Sequence, residues 1–204
     1  MKRIVFTFIL IFSLAVNSFS QNIFDNKKIL IVYFTWADNT VPFSEIDGIA
    51  APSVLAPGNT AVMAGDIQKI LGGDMFSIKV SEPYPNDFGE CLDKVHIEQD
   101  NNFYPQLKQK INNIDEYDVI FLGYPNWGYT APQALFSFLK EHDIHNKIIV
   151  PFCSHGTGGL AYSVEDIKTL IPDCEILTPV GINRDEIKNS YSIIKNWIED
   201  LNKI

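Results

Sequence analysis

The stretch that decides the fold is the apolar run Lys28-Ile-Leu-Ile-Val-Tyr-Phe34, followed by the polar turn Thr35-Trp-Ala-Asp-Asn-Thr40. Residues 29–33 are consecutive apolar residues rich in β-branched types, which predicts a strand buried on both faces. Such strands are typical of parallel sheets with helices above and below. In an open sheet of this kind the carboxyl edge, where the hydroxyl-rich turn lies, is the usual place for an anionic ligand.

Four further strands alternate with helices along the rest of the chain. The predicted strands are 74–80, 118–123, 147–152 and 175–180. The predicted helices are 61–71, 89–99, one that starts at Pro132, one capped by Ser163, and 185–201. This alternation predicts one α/β domain over residues 28–204, a three-layer doubly wound fold with a five-stranded parallel sheet. In the strand order 2-1-3-4-5, strands 1, 3 and 4 lie side by side.

Two connecting segments depart from simple alternation. Residues 41–57 contain Pro42, Pro52 and Pro57, which prevent a continuous helix and predict a long ordered loop. Loops of this length inside compact domains are usually functional. A short helical piece is expected around residues 107–111.

The first twenty residues are typical of a secretory signal peptide. Lys2 and Arg3 precede an apolar run over residues 4–16, and Ser18 and Ser20 form a small-residue cleavage pattern. The run is shorter than the ~20 residues of a membrane-spanning helix, so no membrane span is expected in the mature chain. We therefore expect a signal peptide over residues 1–20 and an exported, periplasmic protein; a buried N-terminal helix or a membrane anchor is the alternative.

Composition and charge exclude several classes of function. Hydrophobic residues make up 46% of the sequence and charged residues 20%, which indicates a globular chain. The formal charge of −9 argues against a nucleic-acid partner and against an anionic membrane surface. Cys91, Cys153 and Cys174 lack CxxC spacing, so neither a zinc site nor a redox pair is indicated, and buried or unpaired thiols are expected.

Polar loops follow strands 1, 3 and 4, and the strand order predicts that they meet at one edge of the sheet. The first loop offers the Thr35 hydroxyl, the backbone amides of Trp36 and Ala37, and a helix start at Asn59 and Thr60. Unpaired amides and a partial positive charge at a helix N-terminus suit a phosphate. An ordinary helix cap is the alternative interpretation of this loop.

The second and third loops predict a site for a flat ring. Pro125-Asn-Trp-Gly-Tyr129 places two aromatic residues at a strand end, where they could stack on a ring or simply plug the core. Ser154-His-Gly-Thr-Gly-Gly159 lets backbone approach a ligand closely. Gly156 and Gly158 fit the spacing of a dinucleotide-binding fingerprint. That fingerprint requires an acidic residue near the end of the next strand, whereas Glu175 lies at its start. Nucleophilic catalysis by Ser154 with His155 lacks the GxSxG motif.

These residues together resemble the flavodoxin family. The matching pieces are Ile31-Val-Tyr-Phe-Thr35, Gly58-Asn-Thr60, Glu82-Pro-Tyr-Pro85, Tyr117-Asp-Val-Ile-Phe-Leu-Gly-Tyr-Pro-Asn-Trp127 and Pro151-Phe-Cys-Ser154. The resemblance implies an FMN cofactor. Its implied phosphate contacts are Thr35, Trp36, Ala37, Asn59 and Thr60. Its implied ring contacts are Pro125, Asn126, Trp127, Gly128, Ser154, His155, Gly156 and Gly159. The family's phosphate loop is normally short, whereas here an insertion separates Thr35 from Gly58.

We therefore expect a flavodoxin-like FMN-binding redox protein with an unidentified redox partner, acting in electron transfer or in flavin-dependent reduction. The alternative is a flavodoxin-fold binding module that has lost the flavin and uses the inserted loop for another partner.

Overall fold

The computed structural model describes residues 22–41 and 51–203. The predicted signal peptide and most of the predicted loop over 41–57 lie outside these ranges. A parallel sheet has the strand order β2-β1-β3-β4-β5, with β6 also paired to β4. The strands are β1 Ile29–Phe34, β2 Asp74–Ile78, β3 Val119–Pro125, β4 Ile148–His155, β5 Glu175–Ile176 and β6 Val180–Asn183. The predicted doubly wound fold and its strand order are confirmed.

Helices cover both faces of this sheet. They are α1 Ala51–Val54, α2 Asn59–Leu71, α3 Phe88–Asp100, α4 Gln133–Glu141, α5 Ser163–Leu170 and α6 Ser190–Leu201. Leu30 and Val32 of β1 belong to the core beneath α3, α4 and α5, whereas Ile29 and Ile31 belong to the core beneath α2 and α6. Alternate side chains of β1 therefore fill two separate cores, which is why the whole run is apolar.

The predicted fifth strand is divided into β5 and β6 along the same side of β4. Ile148 pairs with Glu175, but Phe152 pairs with Val180, so the edge strand contains one extra residue. Pro179 explains the break, since proline has no amide hydrogen to donate to the ladder. The indole of Trp197 donates to the carbonyl of the neighbouring Thr178 at 2.9 Å.

Several predicted details of the helices are wrong. Residues 107–111 form no helix, because Leu107 pairs with Val80 in an isolated antiparallel bridge. Ser163 is the first residue of α5 rather than its cap, and its hydroxyl donates to the Leu160 carbonyl. The segment before α6 is a 3-10 helix over Arg184–Asn189. All three cysteines are buried and free. Within the described ranges, no helix has both the length and the apolarity to cross a bilayer.

Candidate functional site

A cavity of about 540 Å³ lies at the carboxyl edge of the sheet. The turns after β1, β3 and β4 line it, together with the start of α2 and one face of α3. The predicted site residues that line it are Trp36, Asn59, Pro125, Asn126, Trp127, Gly128, Ser154, His155 and Gly156. Thr35, Ala37, Thr60 and Gly159 do not line the cavity. Thr60 and Gly159 contact the lining residues Ser154 and Asn126, whereas Thr35 and Ala37 lie against Gly58. The strand order thus brings the three predicted loops together.

The two halves of the predicted phosphate loop contact each other. Gly58, at the N-cap of α2, has φ +82°. A Cβ on Gly58 would lie only 2.1 Å from Oγ1 of Thr35 and 3.0 Å from Cβ of Ala37. The buried Thr35 hydroxyl donates to the Pro57 carbonyl at 3.5 Å. Pro57 and Gly58 therefore lie at the end of β1, although Thr35 and Gly58 are far apart in sequence.

The start of α2 provides a favourable electrostatic environment for an anion. This helix of 13 residues has glycine at its N-cap, so the cap has no side chain that could accept from the first amides. The helix dipole adds partial positive charge at the same end. Oγ1 of Thr60 lies 3.1 Å from Oγ of Ser154, which ties this helix start to the end of β4.

Trp127 combines the two roles that the sequence left open. Its ring packs edge-on against Phe34, Trp36 and Tyr84, with ring centroids 5.2, 5.6 and 5.0 Å away. It is nevertheless half-buried rather than buried, and it lines the cavity. Since aromatic rings in such clusters have fixed orientations, Trp127 is a rigid part of the cavity wall.

The turn that carries Trp127 is a tight hairpin. Trp127 and Thr130 exchange backbone hydrogen bonds of 2.9 and 3.3 Å. The two central residues, Gly128 and Tyr129, have φ values of +60° and +66°, as a type I′ turn requires. Nε2 of Gln99 on α3 donates to the Trp127 carbonyl at 3.0 Å, and a Cβ on Gly128 would lie 2.6 Å from Oε1 of the same side chain. Helix α3 therefore fixes this turn from behind.

The loop after β4 is held by side-chain hydrogen bonds. Asn126 donates from Nδ2 to the Gly159 carbonyl at 2.7 Å, and its backbone amide donates to the Ser154 carbonyl at 2.9 Å. Nδ1 of His155 lies 2.7 Å from the Gly156 carbonyl, so this nitrogen carries the hydrogen. The Ser154 hydroxyl pairs with Thr60 and not with His155, and the arrangement does not support a serine nucleophile.

Sequence reasoning missed several residues of the cavity. Phe88, Leu92 and His96 reach it from α3, and their spacing of four residues places them on one helix face. That periodicity was a usable signal, but it does not say which helix face lies over the sheet edge. The remaining lining residues outside the predicted set are Ser53, Tyr129, Thr157, Gly158 and Arg184.

The cavity differs in charge from the rest of this acidic chain. The full sequence has 25 acidic against 16 basic residues. Among the described residues that line the cavity there is no Asp or Glu, whereas Arg184, His96 and His155 are present. Such a lining favours an anionic ligand, because carboxylates would repel it at short distance.

Comparisons with known proteins identify flavodoxin-like relatives. Residues 50–201 match the family model described as Flavodoxin. A candidate flavoprotein from Bacteroides eggerthii is 27% identical, with 83% of this chain and 99% of that chain covered and a TM-score of 0.60. A candidate flavoprotein from Bacteroides uniformis is 21% identical, with coverage of 83% and 98% and a TM-score of 0.65. A flavoprotein in complex with FMN from Lactobacillus acidophilus is 19% identical, with coverage of 81% and 99% and a TM-score of 0.58. No curated protein sequence matches significantly.

Proposed function

Because this chain belongs to the flavodoxin family, we propose that it is a redox protein that binds FMN in the 540 Å³ cavity. One observation carries the proposal. The divided phosphate loop is closed by the contact between Gly58 and Thr35, directly beside the cavity that Trp127 lines. A cavity of this volume is within the usual range for small-molecule and cofactor sites.

The chemistry of the lining fits the phosphate. Asn59 lies at the cavity and at the first position of α2, where amide hydrogens and the helix dipole favour an anion. Trp36 supplies the corresponding wall after β1. Thr35, Ala37 and Thr60 support these groups from behind through Gly58 and Ser154. The lining needs no lysine, since backbone amides and hydroxyls can bind a dianion.

The chemistry of the lining also fits a flat ring. Trp127 offers a rigid aromatic surface, and Gly156 adjoins open space in which a Cβ would meet no atom within 4 Å. FMN, when bound, supplies the electron chemistry. The protein's residues position the ring, exclude water through the aromatic cluster and, through Arg184 and His155, favour negative charge in the cavity.

The first experiment is a titration of the purified protein with FMN and, in parallel, with riboflavin, followed by flavin fluorescence. We expect quenching by tight binding of FMN and at least tenfold weaker binding of riboflavin, about 1.4 kcal/mol, because riboflavin lacks the phosphate. Reversible bleaching of the bound flavin by dithionite would demonstrate redox activity. Absence of quenching with FMN would reject the proposal and favour the flavin-free binding module.

We also propose that residues 1–20 are a cleaved signal peptide and that the mature protein acts in the periplasm. The basic start, apolar run and small residues of the N-terminus support this. Intact mass measurement of protein from a periplasmic extract should show a mature chain starting near Gln21. Recovery of the full-length chain in the soluble cytoplasmic fraction would contradict export.

A further inference from the structure

Two cavities adjoin the hairpin that carries Trp127, and they differ in charge. The first is the cavity at the carboxyl edge of the sheet, and the second, of about 480 Å³, lies on the other side of the hairpin. Arg184 is the one lysine or arginine among the described residues that line the first cavity, and the described lining of the second contains neither. Unlike His96 and His155, Arg184 carries its positive charge at every working pH.

The pairing of β4 with β6 shows which face of the sheet Arg184 occupies. Ser154 pairs with Ile182 in parallel register, and side chains paired in this way share a face. That face is the one that α2 covers, because the hydroxyls of Ser154 and Thr60 lie 3.1 Å apart and Ile182 belongs to the core beneath α2 and α6. The backbone of Asn183 is still extended, with φ −63° and ψ 139°, so side chains continue to alternate and Arg184 returns to the α2 face. Arg184 therefore lies on the same side of the sheet as the start of α2.

Hydrogen bonds fix the backbone on both sides of Arg184. Nδ2 of Asn183 donates to the Gly156 carbonyl at 3.0 Å, and Oδ1 of the same side chain accepts from the amide of Asp185 at 3.0 Å. The 3-10 helix that begins at Arg184 packs against α2, and its Ile187 is buried in the core beneath α2 and α6. The Cα of Arg184 is therefore held beside α2, and only the exposed side chain is free to adapt to a ligand.

The guanidinium group of Arg184 is available to a ligand. Within the part of the chain that the structure describes, no carboxylate forms an ion pair with it, although Asp185 and Glu186 follow it directly. The described lining of the first cavity contains no carboxylate that could compete for it. A guanidinium group presents a planar fork of donors that matches two oxygens of a phosphate, and such charge-assisted hydrogen bonds are stronger than neutral ones.

We propose that Arg184 binds the phosphate of the ligand together with the start of α2, and that it sets the preference of the first cavity for a phosphate monoester over the neutral form of the same ring. The inference rests on the proposed function and adds a residue to it. Amides at the start of a helix contribute only a partial positive charge, whereas Arg184 contributes a full one toward a dianion. Its effect is therefore restricted to ligands that carry the phosphate.

The first test compares FMN with riboflavin, which lacks the phosphate, in fluorescence titrations of the full chain and its variants. Arg184→Gln should weaken FMN binding at least about tenfold, and Arg184→Lys by less, because lysine keeps the charge but lacks the planar fork. The affinity for riboflavin should be the same in both variants as in the wild type. Raising the NaCl concentration from about 0.05 to 0.5 M should weaken FMN binding more in the wild type than in Arg184→Gln.

A matched variant controls for surface charge and folding. Lys188 is an exposed cation of the same 3-10 helix and does not line the first cavity, so Lys188→Gln should leave both affinities unchanged. Equal losses of FMN and riboflavin affinity in Arg184→Gln would overturn the proposal, because Arg184 would then act on the ring or on the fold. Wild-type FMN affinity in Arg184→Gln would overturn it as well.

Inorganic phosphate distinguishes a failure of this inference from a failure of flavin binding. In two-dimensional NMR of the isotope-labelled chain, we expect phosphate to shift the amide signals of Asn59 and Thr60 in the wild type and in Lys188→Gln, and to bind at least about tenfold more weakly to Arg184→Gln. If the wild type binds neither flavin but shows this response, the flavin function falls and Arg184 stands as an anion contact. If FMN does not bind, absent phosphate shifts in the wild type, or equal shifts in the wild type and Arg184→Gln, would overturn the assignment of Arg184 too.

Discussion

Substitutions at the two glycines that flank α2 can distinguish a local effect on the proposed phosphate site from a general strain of the helix. Gly58 has φ +82° and ψ 153°, and Gly72 has φ +74° and ψ −154°. Both conformations are essentially restricted to glycine, so alanine at either position costs of order 1–3 kcal/mol. The surroundings differ: a Cβ at Gly58 would lie 2.1 Å from Oγ1 of Thr35, whereas a Cβ at Gly72 meets no atom within 4 Å.

Gly58→Ala should therefore reduce FMN affinity, and Gly72→Ala should not. Ordinary contact begins near 3.4 Å, so Thr35 or the start of α2 must move by about 1.3 Å to admit the methyl group. Displacing the α2 amides that we propose as the phosphate contacts should weaken binding at least tenfold, or about 1.4 kcal/mol. Thermal unfolding should show that Gly58→Ala loses more stability than Gly72→Ala, because only the methyl group at position 58 also displaces its neighbours. Fluorescence titration at a temperature at which both variants stay folded then gives the two affinities.

Three results have distinct meanings in that comparison. Weaker FMN binding in Gly58→Ala alone supports the divided loop as the phosphate site. Equal losses of affinity in both variants would show that a general weakening of α2 is responsible. Wild-type affinity in Gly58→Ala would refute the reasoning, because the closed contact between Gly58 and Thr35 would then have no part in binding.

Two further predictions concern polar groups behind the first cavity. The buried Asn39 side chain donates to the carbonyls of Thr35 and Ile78 and accepts from the amide of Val80. Asn39→Ala should therefore lower the free energy of unfolding by about 2–4 kcal/mol in urea titrations. An unchanged unfolding midpoint would refute this role. Burial raises the pKa of Glu98 to about 7. Between about pH 4.5 and 7 the folded state therefore holds a proton that the unfolded state has lost. The free energy of unfolding should fall by about 2 kcal/mol as the pH rises through this window, after discounting for solvent screening. Glu98→Gln should abolish this fall in pH-dependent unfolding, and an identical pH profile in the variant would contradict the assignment.

Two kinds of information in the sequence predict part of the fold and site: the local pattern of apolar residues, and the strand order expected when strands alternate with helices. The unbroken apolar run of β1 correctly indicates burial on both faces, since Leu30 and Ile31 enter opposite cores. The order 2-1-3-4-5 then correctly brings Trp36, Trp127 and His155 to one cavity, although they are far apart in the chain.

The parts that could not be predicted depend on contacts between distant segments. Helical periodicity groups Phe88 with His96, but only the path of the chain before α3 places that face over the sheet edge. The helix expected around residues 107–111 is absent because Leu107 pairs with Val80, and a tertiary bridge replaces the local preference. Arg184 follows β6 and lines the cavity. Its position depends on the extra residue between β5 and β6, which the hydrophobic periodicity of the sequence does not reveal.

The hairpin from Trp127 to Thr130 joins the first cavity to the rest of the fold. Gln99 holds the carbonyl of Trp127 from α3, and the amide of Tyr162 holds the carbonyl of Tyr129 from the segment before α5. Trp127 itself is fixed by edge-on contacts with three aromatic residues. The position of the aromatic ring in the first cavity is therefore set partly by residues whose sequence pattern indicates only helix and loop.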